Sequence, residues 1–350
     1  MTVRGALNAG TARFDDAARE YDAILVMSFG GPEGLDDVMP FLENVTRGRN
    51  VPRERLLSVA KHYEALGGRS PINAQNRALI EALLPELTRH GIELPIYYAT
   101  RNWHPLVTDV MRQMNADGVG RALAFVTSAF SCYSGCRQYR ENITEAIDQL
   151  GAGAPEIDKI RVFYNHPGFI AANANRVRDA LACLSPADRT AARVVFTAHS
   201  IPAAMARTSA YESQLGEASR LVAEQVGHPF DLVYQSRSGP PRVPWLGPDI
   251  LDHLRDVNAR GVRSVVVHPI GFLSDHVEVI WDLDQEAAEL AKELGMRLVR
   301  SASVGTAPEF VAMIRELIEE RMTGTPARRA VGRFGPSHDV CPVGCCVRTA

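Results

Sequence analysis

The chain has no long apolar run and no strong excess of charge of either sign. None of its 350 residues lies in a stretch of about 20 consecutive apolar residues, and residues 1–23 contain no apolar segment of the kind that a secretory signal needs. Lysine and arginine total 38 against 41 acidic residues, so the formal net charge of −3 gives no general attraction for nucleic acid. These absences predict a globular cytoplasmic protein with no integral membrane segment, in which local arginines would meet any anionic ligand.

Cysteine is also scarce, with six residues in the whole chain. A disulfide framework is not expected for so few cysteines in a reducing compartment. Cys132 and Cys136 form one group, and three more lie near the C-terminus at Cys341, Cys345 and Cys346. Cys183 stands alone on a predicted amphipathic helix, where the sequence predicts a small core residue.

What the sequence does contain is an alternation of short β-branched runs with longer amphipathic segments. This pattern predicts an α/β fold of two Rossmann-like, doubly wound domains with parallel sheets. The predicted division is an N-terminal extension at 1–20, domains at 21–155 and 156–322, and a tail at 323–350. The predicted strands are AILVMSF, IYYAT and ALAFVTSAF in the first domain, then RVFYN, RVVFTAHS, DLVYQS, SVVVHPIGF and RLVRSA in the second.

Polar residues follow several of these strands, at the sheet edge where parallel α/β folds bind ligands. His199 ends the buried-type run VVFTAHS, and a proline then turns the chain. A neutral imidazole there could accept a proton or bind a metal, or it could be a core histidine bonded to a neighbouring backbone group. The turn FGGP after the first strand lacks the spacing of a dinucleotide fingerprint and the lysine of a P-loop, so it indicates a tight strand-to-helix turn.

A row of acids in DHVEVIWDLDQE is the most unusual pattern in the chain. Glu278, Asp282 and Glu286 recur every four residues, which places them along one face of a helix. Such a row could be a solvated face near a helix N-terminus, where carboxylates suit the helix dipole. Because apolar residues surround the acids and a buried-type strand precedes them, the row could instead be a path of oxygen ligands leading a divalent cation toward His199.

The C-terminal motif CPVGCC has the cysteine density of a metal or cluster site. A four-coordinate centre would need one more thiolate, which Cys136 or Cys132 could supply if the tail folds back over the first domain. A zinc site and a tail with unliganded thiols are the alternatives.

Several longer segments together resemble the ferrochelatases, which insert ferrous iron into a porphyrin. They are LVMSFGGPEGLDDVMPFLENVTRGR, YEALGGRSPI, FTAHSIP, YQSRSGPPRVPWLGPD and VHPIGFLSDHVEVIWDLDQEA, and the likeness runs from Tyr21 to Met322. The tail resembles that of a subset, many of them actinobacterial, that carries a [2Fe-2S] cluster. The resemblance implies two Rossmann-like domains with a porphyrin cleft between them and a cluster held by Cys341, Cys345, Cys346 and an internal cysteine, for which Cys136 is favoured over Cys132.

The resemblance also implies roles for individual residues. His199 and Glu278 face each other across the cleft as proton acceptors or iron ligands, and Asp282 and Glu286 continue the acidic line. An arginine fork suits a propionate carboxylate. The expected porphyrin-binding residues are Glu33, Arg47, Arg49, His62, Ser70 and Tyr139. Glu33 stands where some members of the family have a tyrosine that reaches the metal from the far face.

The expected substrates are ferrous iron and a porphyrin. The actinobacterial character and the absence of an apolar membrane-binding lip favour coproporphyrin III, with protoporphyrin IX as the alternative. A non-catalytic tetrapyrrole or metal carrier and a cobalt chelatase are the rival functions. Transient contact with neighbouring enzymes of haem synthesis is the expected protein partnership.

Overall fold

Two parallel four-stranded sheets form the framework of the molecule. The computed structural model describes residues 14–49, 51–240, 242–324 and 327–348. Both sheets have the same winding, with strand orders β2-β1-β3-β4 and β6-β5-β7-β8. The strands are β1 (Ala23–Ser28), β2 (Ile96–Thr100), β3 (Arg121–Val126), β4 (Glu156–Lys159), β5 (Arg193–His199), β6 (Phe230–Gln235), β7 (Ser264–His268) and β8 (Arg297–Arg300). The predicted α/β class with parallel sheets is confirmed.

The fourth strand differs from the prediction in position and in sheet. The predicted strand RVFYN, at residues 161–165, is wrong, because the strand lies at β4 and pairs with β3 in the register Arg121↔Glu156. The first sheet therefore extends to Lys159 and crosses the predicted domain boundary at residue 155. The apolar side chains of 162–164 pack into the core instead of extending the sheet.

Helices cover both faces of each sheet. They are α1 (Leu35–Val45), α2 (Arg53–Ala65), α3 (Ile72–Arg89), α4 (Val107–Ala116), α5 (Gln138–Leu150), α6 (Pro167–Ala182), α7 (Pro186–Ala191), α8 (Ala203–Arg207), α9 (Tyr211–Val226), α10 (Ile250–Ala259), α11 (Val277–Val279), α12 (Ala288–Glu293) and α13 (Pro308–Thr323). Two π-helical segments, Tyr133–Arg137 and Ile280–Ala287, and a short 3-10 turn, Gly151–Gly153, complete the helical structure.

The side-chain alternation of the strands explains how the sheets pack. In β1, Ile24 and Val26 face a core shared by both sheets, whereas Leu25 and Met27 face a separate core on the opposite side. Strand β5 divides its residues in the same way, and its outer face packs in a core of its own. Strands of parallel sheets are buried on both faces, which is why these runs are almost wholly apolar. The shared core joins the two sheets.

Two further predictions concerned Cys183 and membrane-spanning helices. Cys183 is exposed, not a core residue as predicted, because it caps the C-terminal end of α6 where the helix leaves the core. None of the described helices combines the length and the apolar character needed to cross a bilayer.

Candidate active site

His199 lies at the carboxyl end of β5, where the sequence predicts a functional histidine. Its Nε2 atom is 3.5 Å from Oε2 of Glu278, which lies in the short helix α11. The hydroxyl group of Tyr211 donates to the backbone carbonyl of His199 at 3.1 Å, and Nδ1 contacts the carbonyl oxygen of Ser200. The fold thus brings together an imidazole and a carboxylate that are far apart in sequence.

The two groups shift each other's protonation in complementary directions. Burial disfavours the imidazolium form of His199, but the hydrogen bond and charge of Glu278 outweigh it and raise the pKa of His199 above its ordinary value. Burial likewise opposes the carboxylate form of Glu278, yet contact with His199 lowers the pKa of Glu278 to about 2. Both side chains remain about one third exposed, at 32% and 39%. Glu278 is therefore ionised at neutral pH, and the imidazole can gain or lose a proton next to it.

Asp282 lies one turn further along the same helical segment. It accepts hydrogen bonds from the hydroxyl group of Ser236 and from Nε2 of Gln235, the latter at 3.2 Å. Burial raises the pKa of Asp282 to about 7, and the nearby charge of Glu278 adds to this rise. Ser236 has a φ of 61°, an uncommon value for a residue other than glycine, and its hydroxyl group lies against the carboxylate. Asp282 can therefore exchange a proton near neutral pH.

Glu286 ends the row of acids at the protein surface. It is exposed and accepts a hydrogen bond from Nε1 of Trp281 at 3.1 Å. The indole ring of Trp281 stacks on the imidazole of His62, with ring centroids 4.1 Å apart. The row predicted from the sequence therefore runs from His199 to solvent, and His62 lies beside it.

The helical segment that carries these acids is not the regular α-helix that the spacing predicts. After α11 the chain forms the π-helix Ile280–Ala287, in which backbone N–H groups bond to carbonyl groups five residues earlier. Such widened turns occur frequently at functional sites. Asp282 and Glu286 therefore lie on a wider helix than the four-residue spacing alone would give, and Glu278 lies in α11 directly before it.

Arg300, at the end of β8, holds this segment in place. Its guanidinium group donates two hydrogen bonds to Asp275 at 3.0 and 3.1 Å and two to Asp284 at 2.8 and 2.9 Å. These two carboxylates lie on either side of Glu278 and Asp282 in sequence. Bidentate arginine–carboxylate pairs fix geometry as well as charge, so Arg300 positions both acids of the site.

Sequence reasoning missed several residues of the site. His276, two residues before Glu278, lies close enough to His199 and Glu278 to share their electrostatic environment, and burial lowers its pKa. Gln235, Ser236 and Arg300 were also missed. Their side chains are ordinary polar groups at strand ends, and only the cross-strand arrangement reveals their contacts. Of these residues, only His276 could have been predicted from the sequence, because it is a histidine within the motif that carries Glu278.

The predicted porphyrin-binding residues all lie in the first half of the chain. Oε1 of Glu33 accepts a hydrogen bond from Nδ2 of Asn73 at 2.9 Å and forms an ion pair with Nη1 of Arg77 at 3.2 Å. Ser70 is buried beneath the first strand-to-helix turn, and a Cβ atom at Gly31 would come within 2.7 Å of its side chain.

The remaining predicted contacts surround the loop between α1 and α2. Arg47 and Arg49 both have exposed side chains on this loop. Loss of hydration at the guanidinium group and the charges of Arg101 and Arg348 lower the pKa of Arg49. Tyr139 is buried in the core, with the guanidinium group of Arg101 at 4.6 Å from its ring centroid. The loop thus offers arginines near the C-terminal tail, and the binding roles stay predictions.

The C-terminal cysteines form a second candidate site. The ligand atoms of His338, Cys341 and Cys345 lie within 4.8 Å of one another. Cys136 lines the same cavity, so the tail does fold back over the first domain. Thiols and an imidazole that converge on one cavity are a donor set suited to a metal centre.

Cys132 is engaged elsewhere. Its Sγ atom accepts a hydrogen bond from the backbone N–H of Gly135 at 3.1 Å and so caps the first π-helix. It does not line the cavity that Cys136 shares with Cys341 and Cys345. Of the two alternatives left open by the sequence, the geometry favours Cys136.

Comparison with known proteins gives consistent results along the chain. A family model described as Ferrochelatase matches residues 21–322. A ferrochelatase from Rhodopirellula baltica is 56% identical over 333 residues, which cover 94% of each chain. A coproporphyrin III ferrochelatase from Nocardia farcinica is 51% identical over 338 residues, which cover 93% of this chain and 96% of that protein. SirB from Bacillus subtilis with Fe3+ has a TM-score of 0.56 at 11% identity, covering 87% of this chain and 96% of that one, a likeness of fold alone.

Proposed function

The chain belongs to the ferrochelatase family, and we propose that it inserts Fe2+ into coproporphyrin III to give coprohaem in haem biosynthesis. The observation that carries this proposal is the pair at the end of β5, where His199 Nε2 lies 3.5 Å from Glu278 Oε2. The chain is thus a metal chelatase, which is a kind of lyase. Its substrates are ferrous iron and a porphyrin.

The chemistry of metal insertion matches what this pair can do. Two pyrrole N–H groups must lose their protons, and the ring nitrogens must turn their lone pairs toward the incoming ion. A site that holds the ring bent stabilises a geometry closer to the transition state than the flat ring is. His199, a titratable base, takes up pyrrole protons, and Glu278, which stays negatively charged, stabilises the imidazolium that forms or holds iron above the ring.

Asp282 and Glu286 extend the pair outward as a route for ions. Carboxylate oxygens are suitable ligands for a divalent cation in transit, and a group that exchanges its proton near neutral pH can carry protons the other way. The row therefore conducts iron inward or protons outward. His62 borders this route through its stacking on Trp281.

The propionate groups of the porphyrin need cationic or hydroxyl partners. Arg47 and Arg49 are exposed on the loop between α1 and α2, so they are the first candidates for these contacts. Ser70, Tyr139 and Glu33 belong to the same proposed set; the first two are buried, and Glu33 is paired with Arg77.

Replacing the histidine tests the proposed activity. His199→Ala should lower the rate of iron insertion by about 10²–10⁴-fold, because the step loses its general base. Porphyrin binding, followed by fluorescence quenching, should remain. Anaerobic absorbance assays of haem formation measure the rate, and full activity in this variant would refute the assignment. A protein that binds porphyrin and never turns it over would be a carrier instead.

The choice of porphyrin is a separate proposal. Curated relatives from Streptomyces and Nocardia named coproporphyrin III ferrochelatase are 49–51% identical to this chain, which supports coproporphyrin III over protoporphyrin IX. The former has four propionates and the latter two, so a rim with several arginines suits the former. Initial rates on the two porphyrins distinguish them, and a higher kcat/KM for protoporphyrin IX would reverse the proposal.

We also propose that the C-terminal cysteines hold a [2Fe-2S] cluster. From the sequence, Cys136, Cys341, Cys345 and Cys346 are its expected ligands. A bound cluster would supply redox chemistry or iron sensing, and it would fasten the tail to the first sheet. Iron and acid-labile sulfide analysis of the purified protein tests its presence.

The cellular setting is proposed from the sequence alone. We expect a cytoplasmic location, and the shared substrate supports transient contact with neighbouring haem-pathway enzymes. Fractionation of cells that express the tagged protein tests the location. Recovery in the membrane fraction after a high-salt wash would contradict it.

A further inference from the structure

Buried positive charge surrounds the cavity between the C-terminal tail and the first domain. Its lining includes three thiols and two cationic side chains, those of Cys136, Cys341, Cys345, Lys159 and Arg161. We propose that Lys159 and the neighbouring Arg140 are the counter-charges of the metal centre at this cavity, where they balance part of the negative charge that thiolate ligands bring. This proposal rests on the metal centre proposed above and concerns the residues around it, whichever cysteines bind the metal.

The other charged groups of the lining already have partners. Nε and Nη2 of Arg161 donate to the carboxylate of Glu320 at 2.8 and 3.0 Å, so the charge of this arginine is paired. The carboxylate of Asp339, which also lines the cavity, accepts hydrogen bonds from Nε and Nη2 of Arg328 at 3.0 and 2.7 Å. These two pairs leave the ammonium group of Lys159 without an acidic partner in the lining.

Lys159 is buried although it is a lysine. It is the last residue of β4, at the edge of the first sheet, and its side chain is 7% exposed. Its Nζ atom donates to the backbone carbonyl of Ile160 at 3.0 Å, and no carboxylate in the described part of the chain forms an ion pair with it. Because lysine is almost never fully buried unless it is paired, this position suits a neighbour that carries negative charge.

Arg140 has a similar environment on the other side of the thiols. It lies in the first turn of α5, four residues after Cys136, and is 5% exposed. Its Nε atom is buried and has no hydrogen-bond partner, and the residues that the structure describes offer this guanidinium group no ion pair. A buried cation without an anion is costly, so Arg140 also suits a site that receives negative charge.

The electric field of both cations reaches the thiols. Burial raises the pKa of the Cys136 thiol, and the positive charges of Lys159 and Arg140 act against that rise. Contact with Cys345 and burial raise the pKa of Cys341 to about 12, and the charge of Arg140 opposes this rise as well. The same field acts on the negative charge of any metal centre that these thiols hold.

This arrangement has a consequence for the redox properties of the centre. A [2Fe-2S] cluster with thiolate ligands is negatively charged and becomes more negative when it is reduced. Net charge and nearby charges are among the factors that set the reduction potential of such clusters. Lys159 and Arg140 therefore stabilise the reduced form more than the oxidised form, which raises the reduction potential.

Charge-removing and charge-keeping variants of the full-length protein test this role. Lys159→Met and Arg140→Met remove one positive charge each, singly and together, whereas Lys159→Arg and Arg140→Lys keep it. The matched control is Lys292→Gln, at an exposed lysine of α12. Each protein is purified anaerobically, and its iron, zinc and acid-labile sulfide are quantified. Circular dichroism identifies any variant that fails to fold.

The reduction potential is measured by redox titration, with the reduced centre followed by electron paramagnetic resonance. Each methionine variant should have a lower potential than the unsubstituted protein, and the double variant should have the lowest. Lys159→Arg, Arg140→Lys and Lys292→Gln should stay close to the unsubstituted value. Equal potentials in all variants, or an equal fall in the charge-keeping variants, would overturn the proposal, because a purely structural role predicts one of these results.

The stability of the bound metal gives a second measurement. Groups next to metal ligands contribute about 10–100-fold to metal affinity, so the methionine variants should lose metal to a chelator about tenfold faster. If the protein holds zinc instead of iron and sulfide, the [2Fe-2S] proposal fails; faster zinc loss from the methionine variants then supports the counter-charge role, and unchanged loss overturns it.

The chelatase assay separates this proposal from the main activity. Iron insertion into porphyrin is measured in parallel on the unsubstituted protein. Absence of any bound metal at the cavity overturns the counter-charge role even if iron insertion is normal. Absence of iron insertion, with the expected shifts in potential, refutes the proposed function and leaves the counter-charge role supported.

Discussion

At the scale of single residues, the site depends on carboxylates whose ionisation is set by their neighbours. Glu278 is held ionised by His199, whereas Asp282, one turn away, has a pKa raised to about 7 mainly by burial. Acids with such different pKa values can divide the tasks of holding a cation and exchanging a proton. Their difference predicts how the activity responds to pH.

Asp282 carries its proton below about pH 7 and loses it above that pH. The rate of iron insertion should therefore rise as pH increases through about 7, since the ionised form is the better cation ligand. Asp282→Asn should be slower and should lose this part of the pH profile. Initial rates between pH 6 and 8.5 check the prediction, with the exposed Glu289→Gln as a matched control. An unchanged profile in Asp282→Asn would show that Asp282 does not titrate in the rate-limiting step.

A second residue-scale prediction concerns stability. His268 is fully buried, with Nε2 at 2.7 Å from Oδ1 of Asn173, and burial lowers its pKa to about 3. In the unfolded chain this histidine gains its proton near the ordinary pKa of about 6.5. Above that pH the histidine is neutral in both states, so the contribution of its neutral, buried form to stability is complete. It is lost as pH falls toward 3, at up to about 1.4 kcal/mol per pH unit.

Urea unfolding between pH 7 and 4 measures this effect. His268→Gln should give a flatter dependence of the free energy of unfolding on pH, although the protein is less stable at pH 7. The control His90→Gln, at a half-exposed histidine, should keep the slope. Equal slopes in all three proteins would contradict the assignment of a neutral buried imidazole.

At the scale of elements, the helical segment 277–293 is positioned by the end of strand β8. Arg300 at the end of β8 binds Asp275 and Asp284, and these carboxylates bracket the acids of the site. A strand end therefore determines where a helix presents its functional groups. Because Asp284 lies within the π-helix, its bonds to Arg300 also hold this widened segment in place.

Arg300→Met should lower the free energy of unfolding by up to about 3 kcal/mol, because two partly buried carboxylates lose their partner. Iron insertion should slow by up to about 10²-fold as Glu278 moves out of position. Adding Asp275→Asn and Asp284→Asn should restore stability but not the rate. Arg297→Met, on the same strand but exposed, is the control. A normal rate in Arg300→Met would remove its positioning role.

At the scale of the whole molecule, a buried charge network connects parts of the chain that are far apart in sequence. Arg321 of α13 is 1% exposed and lies 3.1 Å from Asp15, 3.6 Å from Asp339 and 4.0 Å from Asp158. These acids belong to the N-terminal segment, the tail and β4. The network therefore fastens both ends of the described chain to the first sheet.

Arg321→Met should lower the free energy of unfolding by about 3–5 kcal/mol, because it leaves buried carboxylates without this partner. The tail should also become more sensitive to limited proteolysis. Arg260→Met breaks an exposed ion pair with Asp256 and should change stability by less than about 1 kcal/mol. Urea denaturation of both variants compares them, and equal effects would contradict a special role for the buried network.

The sequence by itself determined the local features. Short apolar, β-branched runs between amphipathic segments predicted the parallel sheets and located β5 and β7, and the four-residue spacing predicted the row of acids that reaches solvent at Glu286. Motifs that resemble the ferrochelatases predicted the partnership of His199 with Glu278. Local patterns succeed here because side-chain burial in a strand or helix repeats with a fixed period.

Only the tertiary structure decided what depends on contacts between distant segments. It placed the fourth strand in the first sheet, brought Arg300 to the helix of the acids, and put Cys136, not Cys132, in the lining of the cavity beside Cys341 and Cys345. It also set His338 beside the C-terminal thiols. The physical reason is that hydrogen bonds, ion pairs and burial between elements depend on how the cores pack, and no local period in the sequence records that packing.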